Sequence, residues 1–365
     1  MSNKNQDNEI LLMKGNEAIA HAAIRCGCDG YFGYPITPQS EIMETLMDME
    51  PWNTTGMVVL QAESETSSIN MVYGAAGCGK KAMTSSSSPG ISLMQEGISY
   101  LAAAELPCVI VNVMRGGPGL GTIQPSQADY FQTVKGGGHG DYKVITLAPA
   151  SVQEMADHTA LAFELAFKYR TPAMVLVDGI IGQMMEKVVL PPFKPRWTEE
   201  EIKKNTPWAT LGKSADRGPN IINSLRMEAY EMEELNNILQ GRYREIEKKE
   251  VIFEEINCED ADYLLVAFGI SARICQKTVE LARLEGIKVG LLRPITLFPF
   301  PTQVLKQYAE KVKGMLSIEM NAGQMVEDIR LAVNGKVPVE FYGRMGGIVP
   351  SPNEVLEALK TKLIK

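Results

Sequence analysis

The run Cys-Val-Ile-Val-Asn-Val-Met at 108–114 constrains the fold more than any other stretch of the chain. It is almost entirely apolar yet far too short to cross a membrane, so it fits a strand that is buried on both faces. Strands of this kind belong to parallel sheets that helices cover on both sides. Shorter apolar runs alternate with helical patterns around it, and the sequence therefore predicts an α/β fold with a doubly wound parallel sheet.

The predicted elements fall into two α/β units separated by a segment of different composition. Residues 1–190 form the first unit, residues 191–254 a proline-rich and then charged linker or helical embellishment, and residues 255–365 the second unit. Strands are predicted at 30–34, 58–61, 82–84, 108–114, 144–147, 173–178, 263–268, 289–292 and 314–319. Helices are predicted at 17–28, 40–49, 66–77, 91–101, 152–168, 228–249, 271–285 and 353–363.

Composition and charge exclude several classes of function. The net charge is −8 and no long basic run is present, which argues against a nucleic-acid surface or a polybasic membrane contact. No apolar run reaches the roughly 18–20 residues that span a bilayer, and residues 1–9 contain no apolar signal core. The six cysteines are scattered without paired Cys-x-x-Cys groups, so we expect no metal or iron–sulfur framework here. These features predict a cytoplasmic protein.

Polar residues stand directly after several of the predicted strands. Thr37 lies between Pro35 and Pro38, Glu65 opens a small-residue helix, a serine loop is expected at 85–90, and Arg115 begins a glycine-rich loop. Since the carboxyl ends of parallel strands meet at one edge of a sheet, these residues can line one site.

Each candidate also has an ordinary structural interpretation. A glutamate that opens a helix complements the helix dipole, and Glu63 competes with Glu65 for any catalytic role. Thr37 could donate to a substrate carbonyl or carboxylate, or serve only as a turn residue. Arg115 suits bidentate binding of a carboxylate, but a salt bridge at the strand end would explain it equally well.

Three glycine-containing stretches need separate treatment. Gly74–Lys81 begins like a phosphate-binding loop, but Lys81 occupies the position of the magnesium-binding hydroxyl and the stretch follows a helix. Gly117–Gly121 has the wrong spacing for a dinucleotide fingerprint. Both are interpreted as tight loops. His139, within the loop 136–141, could cover a site, although a solvated surface histidine is the simpler interpretation.

Five separated segments, in this order along the chain, resemble the alpha subunit of the 2-oxoacid:ferredoxin oxidoreductases. Within that family, three further segments are similar to the branch that acts on 2-oxoisovalerate (3-methyl-2-oxobutanoate); the pyruvate and 2-oxoglutarate branches and a non-catalytic scaffold subunit remain alternatives. The five segments are Tyr34–Pro38, Glu63–Glu65, Thr84–Gly90, Arg115–Pro118 and Leu292–Pro299. The three branch-specific segments are Met94–Tyr100, Gln124–Tyr130 and Gly136–Asp141.

The resemblance implies a thiamine diphosphate pyrimidine-binding domain followed by a transketolase C-terminal-like domain. It implies that Glu65 is the carboxylate that activates the cofactor and that Thr37 and Arg115 hold the 2-oxoacid. Pro35, Ile36, Glu65 and Ser88 would bind the cofactor, and no metal ligand is expected in this chain. The reaction implied is oxidative decarboxylation to an acyl-CoA, with coenzyme A as co-substrate and ferredoxin as electron acceptor.

The resemblance also implies that partner chains complete the enzyme. The diphosphate half of the cofactor needs magnesium held through a Gly-Asp-Gly motif, and the nearest match here is Gly140-Asp141-Tyr142. A beta subunit would therefore supply diphosphate and magnesium binding, and a ferredoxin-type subunit would carry the iron–sulfur clusters. A gamma subunit and a contact between two alpha subunits are further expectations. Alone, the chain should be inactive.

Overall fold

A computed structural model describes residues 10–213, 215 and 217–364 of the chain. The prediction about residues 1–9 lies outside these ranges. The strands are β1 (Ile10–Lys14), β2 (Gly30–Gly33), β3 (Val58–Gln61), β4 (Ala82–Ser86), β5 (Cys108–Met114), β6 (Ile145–Leu147), β7 (Pro172–Asp178), β8 (Met185–Val189), β9 (Phe253–Ile256), β10 (Tyr263–Val266), β11 (Val289–Pro294), β12 (Thr296–Phe298), β13 (Gly314–Glu319) and β14 (Val339–Gly343). The helices are α1 (Gly15–Arg25), α2 (Ser40–Met49), α3 (Pro51–Thr54), α4 (Glu65–Gly77), α5 (Ser88–Ala103), α6 (Tyr130–Val134), α7 (Val152–Tyr169), α8 (Gly179–Gln183), α9 (Glu199–Asn205), α10 (Ala229–Lys249), α11 (Gly269–Leu284), α12 (Thr302–Tyr308), α13 (Met325–Val333) and α14 (Pro352–Leu359), and a π-helical turn, Lys360–Ile364, follows α14.

The apolar run at 108–114 forms β5, the central strand of a seven-stranded sheet. The strand order is β12-β6-β7-β5-β4-β2-β3, and every pair except the one with β12 is parallel. All seven residues of β5 and of β7 are buried. Because successive side chains of a strand point to opposite faces, helices must cover both faces of this sheet. The predicted doubly wound parallel sheet is confirmed.

The order of the strands places a crevice at the carboxyl edge of the sheet. The chain leaves β2 toward β3 on one side, and leaves β4 toward β5 on the other. The loops that follow β2 and β4 therefore diverge, and ligands of such sheets bind where neighbouring loops diverge. Thr37 follows β2 and Ser88 follows β4.

A second, five-stranded sheet has the order β14-β13-β10-β11-β9, in which only β9 is antiparallel to its neighbour. A buried hydrogen-bond network joins it to the first unit through Gln127. The Gln127 side chain donates to the Phe268 carbonyl oxygen (2.8 Å) and accepts from the Ser271 hydroxyl (2.8 Å) and the Met320 amide (3.1 Å). The two units are thus held together by polar contacts in which both the nitrogen and the oxygen of a buried amide have partners.

Two strand pairings connect parts of the chain that are distant in sequence. Thr296–Phe298 follows strand β11 of the second sheet, yet β12 pairs antiparallel with β6 of the first sheet. The strands β1 and β8 form a separate two-stranded antiparallel sheet. The sequence did not indicate either pairing, because partners so far apart leave no local pattern.

The segment 191–254 packs against the first unit. Arg196 donates to the Asp29 carboxylate (2.8 Å), and the backbone amide of Lys194 donates to the Arg25 carbonyl oxygen (2.6 Å). Helix α10 buries Leu239 and Ile246 in the main hydrophobic core. The charged pattern at 228–249 thus belongs to a helix whose apolar stripe faces the protein, as an amphipathic surface helix requires.

The structure corrects the expected serine loop at 85–90. Strand β4 continues through Ser86, and α5 begins at Ser88, so that Ser87 alone separates them. Small serines fit a strand buried on both faces, and Pro89 is favourable in the first turn of a helix, where its missing amide hydrogen costs nothing. Across the described ranges, no helix is long and apolar enough to span a membrane.

Candidate functional site

Glu65 is the first residue of α4 and is buried, with 7% of its surface exposed. The preceding Ser64 caps the helix by accepting a hydrogen bond from the Ser67 amide (3.2 Å), which fixes the direction in which the helix starts. The carboxylate points toward the first turn of α5, where a Cβ added to Gly90 would lie 2.7 Å from its Oε1. Glu63, the competing carboxylate, is exposed. The burial difference favours Glu65 as the residue that faces a site.

Arg115 links the loops that follow β2 and β5. Its Nη1 donates to the Thr37 carbonyl oxygen (2.9 Å) and its Nη2 to the Leu120 carbonyl oxygen (3.0 Å). The guanidinium is buried, and its Nε has no hydrogen-bond partner within the described part of the chain. No ion pair of Arg115 occurs there either, so the salt-bridge interpretation has no support. The Nε hydrogen is therefore an unused donor, buried beside the two backbone carbonyl oxygens that hold the rest of the guanidinium.

Ser88 connects the start of α5 to Arg115. Its hydroxyl accepts from the Arg115 amide (3.1 Å) and donates to the Arg115 carbonyl oxygen (3.3 Å). Asp129 lies beside it and accepts from the Asn112 side-chain amide (2.9 Å). Burial raises the pKa of Asp129, although the hydrogen bond from Asn112 opposes the rise. The arrangement fixes the backbone of Arg115 independently of its side chain.

The loop that holds Pro35, Ile36 and Thr37 is fixed by hydrogen bonds to the buried side chain of Gln39. Gln39 is fully buried; its amide group donates to the Tyr34 carbonyl oxygen (3.0 Å) and its Oε1 accepts from the Ser85 hydroxyl. Pro35 and Thr37 are exposed and Ile36 is half-buried. The loop therefore presents its residues outward on a rigid support, as a preorganised binding loop must.

A chain of contacts brings the predicted residues together. Glu65 adjoins Gly90 in the first turn of α5, Ser88 of the same turn bonds to Arg115, and Arg115 bonds to the carbonyl oxygen of Thr37. The Ser86 hydroxyl lies next to the same position of Gly90 as the Glu65 carboxylate. It is buried without a hydrogen-bond partner among the described residues, as are the hydroxyls of Thr84 and Ser87 on the same strand and the turn after it.

A cavity of about 390 Å³ opens beside Arg115, between the first unit and the second. Arg115 and Asp129 are the only charged side chains in its described lining. Its polar wall is completed by serines and amides, and much of the remainder is apolar. The apolar lining includes Pro89, Pro118, Leu120, Met320 and Met345.

Several residues of this site were missed by sequence reasoning. Asn112 carried a usable signal, because a polar residue inside an otherwise apolar, fully buried strand must have a partner. Asp129 gave no such signal. His139, by contrast, is exposed and contributes to a different cavity, next to α10. The described residues contain no group of three or more histidine, cysteine, aspartate or glutamate side chains that could hold a metal ion.

The fold and the loops at its edge define an α/β protein of the thiamine diphosphate-binding class. The family model described as "Pyruvate flavodoxin/ferredoxin oxidoreductase, thiamine diP-bdg" matches residues 21–249, and the model of "Pyruvate:ferredoxin oxidoreductase core domain II" matches residues 261–355. The chain therefore belongs to the pyruvate flavodoxin/ferredoxin oxidoreductase family, a family of oxidoreductases. This confirms the family that the sequence motifs indicated.

Two of the curated relatives match this chain over more than nine-tenths of its length. The ketoisovalerate oxidoreductase subunit VorB of Methanothermobacter thermautotrophicus is 51% identical over 96% of this chain and 97% of its own length. The 2-oxoglutarate synthase subunit KorA of Archaeoglobus fulgidus is 38% identical over 92% of this chain and 96% of its own length. Both are named as subunits, and the ketoisovalerate relative is considerably more similar.

Solved structures support the same fold. The 2-oxoglutarate:ferredoxin oxidoreductase from Magnetococcus marinus, solved with 2-oxoglutarate, coenzyme A and succinyl-CoA bound, superposes with a TM-score of 0.83 at 27% identity. The match covers 98% of this chain but only 65% of that chain. A split-gene transketolase, an inactive beta4 tetramer, matches 96% of this chain and 98% of its own with a TM-score of 0.61 at 13% identity. The predicted combination of a thiamine diphosphate fold and a transketolase-like fold is confirmed.

Proposed function

We propose that this chain is the alpha subunit of a cytoplasmic 2-oxoacid:ferredoxin oxidoreductase. The complex would convert 3-methyl-2-oxobutanoate, coenzyme A and oxidised ferredoxin into a branched acyl-CoA, carbon dioxide and reduced ferredoxin. The similarity to the ketoisovalerate subunit supports this substrate. The observation that carries the proposal is the cavity beside Arg115, because it offers one cation to a substrate.

The charges of the cavity favour a 2-oxoacid with an apolar side chain. A monocarboxylic 2-oxoacid needs one cation, and Arg115, whose buried Nε has no partner among the described residues, would bind its carboxylate. A dicarboxylic 2-oxoacid would need a second cation, but the only other charged side chain in the described lining is the acidic Asp129. Apolar residues such as Leu120 and Met320 instead suit an aliphatic chain. 2-Oxoglutarate is therefore a weaker candidate substrate than 3-methyl-2-oxobutanoate. Pyruvate matches the charges of the cavity equally well and is disfavoured only because it is small for the cavity.

The residues around Glu65 fit the pyrimidine half of thiamine diphosphate. A buried carboxylate stands beside the buried Ser86 hydroxyl, which has no partner within the described residues, and the absence of a side chain at Gly90 lets both approach the first turn of α5. Pro35, Ile36 and Ser88 would complete the contacts with the ring. When bound, thiamine diphosphate supplies the nucleophilic carbon and electron sink that cleavage of a 2-oxoacid requires.

Each of the chain's own residues then has a defined task. Glu65 would hold a hydrogen bond to a nitrogen of the pyrimidine ring and so control the proton at that position. Arg115 would orient the substrate carboxylate. The exposed Thr37 hydroxyl would donate to the oxygen of the substrate carbonyl group. Burial of Glu65 under the first turn of α5 keeps bulk water from competing for this hydrogen bond.

The proposal requires partner chains. No cluster of metal-ligating side chains occurs in the described ranges, and the six cysteines are free and scattered, as expected in a reducing compartment. A beta subunit would bind diphosphate and magnesium, and a ferredoxin-type subunit would carry the iron–sulfur clusters. A gamma subunit and a contact between alpha subunits complete the proposed assembly. Coenzyme A would enter as co-substrate.

Replacement of Glu65 by glutamine in the assembled complex tests the proposal. We expect coenzyme-A-dependent reduction of ferredoxin to fall by about 10²-fold or more, because the proton-transfer partner is lost. Glu63→Gln is the matched control, since it makes the same change two residues away on an exposed side chain, and it should retain full activity. Thiamine diphosphate binding, measured in parallel, separates loss of cofactor from loss of chemistry.

The same assay discriminates among the alternatives. Fastest turnover of 3-methyl-2-oxobutanoate supports the branched-chain assignment, and fastest turnover of 2-oxoglutarate or pyruvate replaces it with that branch. If Glu65→Gln keeps full activity in a complex that contains thiamine diphosphate, the chain is a scaffold subunit and the catalytic carboxylate lies elsewhere.

A further inference from the structure

A second large cavity, of about 850 Å³, lies at the opposite edge of the seven-stranded sheet from Glu65. Lys143 precedes β6, and Phe298 ends the antiparallel strand β12, so both lie at the amino-terminal edge of the parallel strands. Helix α10 and the start of α12 form the other walls. We call this cavity the α10 cleft. Its volume lies in the usual range for small-molecule sites, about 300–1,000 Å³.

The floor of the α10 cleft is aromatic. Phe253 and Phe300 are half-buried, and Phe298 is buried with the Lys143 ammonium group 5.9 Å from the centre of its ring. Aromatic faces exposed in a concave site stack on planar, electron-rich or heteroaromatic ligands. The floor therefore suits a nucleobase better than a flexible aliphatic chain.

The rim of the α10 cleft is basic, although the protein as a whole carries a net charge of −8. Four cations and two acids line it. One of the acids, Asp328, already pairs with Lys135 and accepts a hydrogen bond from Tyr130 (2.6 Å). Lys143, Arg244 and Lys248 then face a single acid, Glu247, which leaves a positive site able to attract anions.

The two cations of α10, Arg244 and Lys248, also lack partners among the residues that the structure describes. Arg244 and Lys248 are exposed, are spaced one turn apart on the same helix face, and have no hydrogen-bond or ion-pair partner in the described part of the chain. Like charges at this spacing destabilise a helix. An anion that bridges them would remove this repulsion.

We propose that the α10 cleft binds the adenosine-phosphate part of a nucleotide, with the adenine on the aromatic floor and the phosphates between Lys143, Arg244 and Lys248. This chemistry is shared by coenzyme A and by free ADP or ATP. Helix α6 connects the cleft with the cavity beside Arg115: Asp129, just before α6, lines that cavity, and Val134, its last residue, lines the cleft. A nucleotide in the cleft thus sits against the same short helix as the substrate cavity.

Isothermal titration calorimetry on the assembled complex tests the proposal with ADP, ATP, coenzyme A, adenosine and pyrophosphate as titrants. The variant Arg244→Gln/Lys248→Gln removes two charges from exposed positions, and Lys203→Gln/Lys204→Gln on α9 removes two charges from a remote exposed surface as the matched control. We expect at least one phosphorylated adenosine ligand to bind about tenfold more weakly or worse in the first variant, since a charge-assisted hydrogen bond contributes roughly 1.5–3 kcal/mol. The control should bind normally.

A second variant, Phe300→Leu, tests the aromatic floor while preserving an apolar side chain. It should weaken the same ligand about tenfold, whereas pyrophosphate should be indifferent to it. Sensitivity of coenzyme A to the variants identifies coenzyme A as the source, and sensitivity of ADP or ATP alone identifies a free nucleotide. The proposal is overturned if no phosphorylated adenosine loses affinity in Arg244→Gln/Lys248→Gln, or if pyrophosphate binds as tightly as the nucleotides.

Discussion

Replacement of Gly90 by alanine would test the position of the Glu65 carboxylate without removing it. The added Cβ would lie 2.7 Å from Glu65 Oε1 and 2.9 Å from Glu65 Cγ, and it would also collide with the Ser86 hydroxyl. Gly90 lies inside α5 with an ordinary helical backbone, so alanine is compatible with its conformation. The perturbation therefore acts on the two neighbouring side chains.

The expected magnitude follows from the contact distance. Ordinary van der Waals contact of a Cβ begins at 3.4 Å, so the Glu65 oxygen must retreat by about 0.7 Å. Catalytic groups tolerate about 0.5 Å of displacement, and 1 Å can cost on the order of 10²-fold in rate. We expect kcat of the assembled complex to fall between about 10-fold and 10²-fold. The accompanying overpacking should cost about 1–3 kcal/mol of folding stability.

The assay is coenzyme-A-dependent ferredoxin reduction with 3-methyl-2-oxobutanoate, together with thermal unfolding of the same samples. Gly74→Ala is the matched control, because Gly74 lies on the helix that Glu65 opens and nothing would stand within 4 Å of its new Cβ. That control should keep full activity and gain slightly in stability. Wild-type kcat in Gly90→Ala, with the complex intact, would refute the claim that the carboxylate acts from this position.

Two further predictions concern other residues of the first unit. Arg115→Lys should raise KM for the 2-oxoacid by about tenfold or more, because one ammonium cannot hold both the Thr37 and Leu120 carbonyl oxygens and a carboxylate as well; an unchanged KM would remove Arg115 from the substrate site. Burial lowers the pKa of His158 from 6.5 to about 4, so the unfolded chain binds the extra proton and stability should fall by about 3 kcal/mol as the pH drops from 6.5 to 4. In His158→Phe, the free energy of unfolding measured with denaturant should change less between pH 6.5 and pH 4 than in the wild type. If it changes as much as in the wild type, His158 is not the group responsible.

The sheet was predictable because its strands carry strong local signals. The bounds of β3, β5 and β13 agree with the predicted strands, since each is an apolar run that ends at a polar or glycine residue. The position of Glu65, one residue into a helix after a strand, was equally visible. Elements without such signals were missed: β14 is only half-buried along its length, and the pairing of β12 with β6 depends on contacts between the two units.

The candidate site was only partly predictable. Sequence reasoning placed Thr37, Glu65, Ser88 and Arg115 at one edge because the parallel topology requires it. It did not predict that the Arg115 guanidinium would bind backbone carbonyl oxygens, since a backbone acceptor carries no residue identity. The difference matters, because both terminal nitrogens of the guanidinium are already bonded to the backbone and Nε is the nitrogen left without a partner among the described residues.

At the carboxyl edge of the seven-stranded sheet, some buried polar side chains have hydrogen-bond partners and others have none among the described residues. Below the loop that carries Thr37, the Gln39 side chain has partners at both of its polar atoms. Three hydroxyls on β4 and the residue after it, those of Thr84, Ser86 and Ser87, are buried without partners in the described ranges, and each such group costs roughly 1–3 kcal/mol. The Ser86 hydroxyl is the one placed beside Glu65, through Gly90. On the proposed function, Glu65 and the Ser86 hydroxyl would both face the pyrimidine ring, so substitution of Glu65 should affect cofactor binding together with turnover.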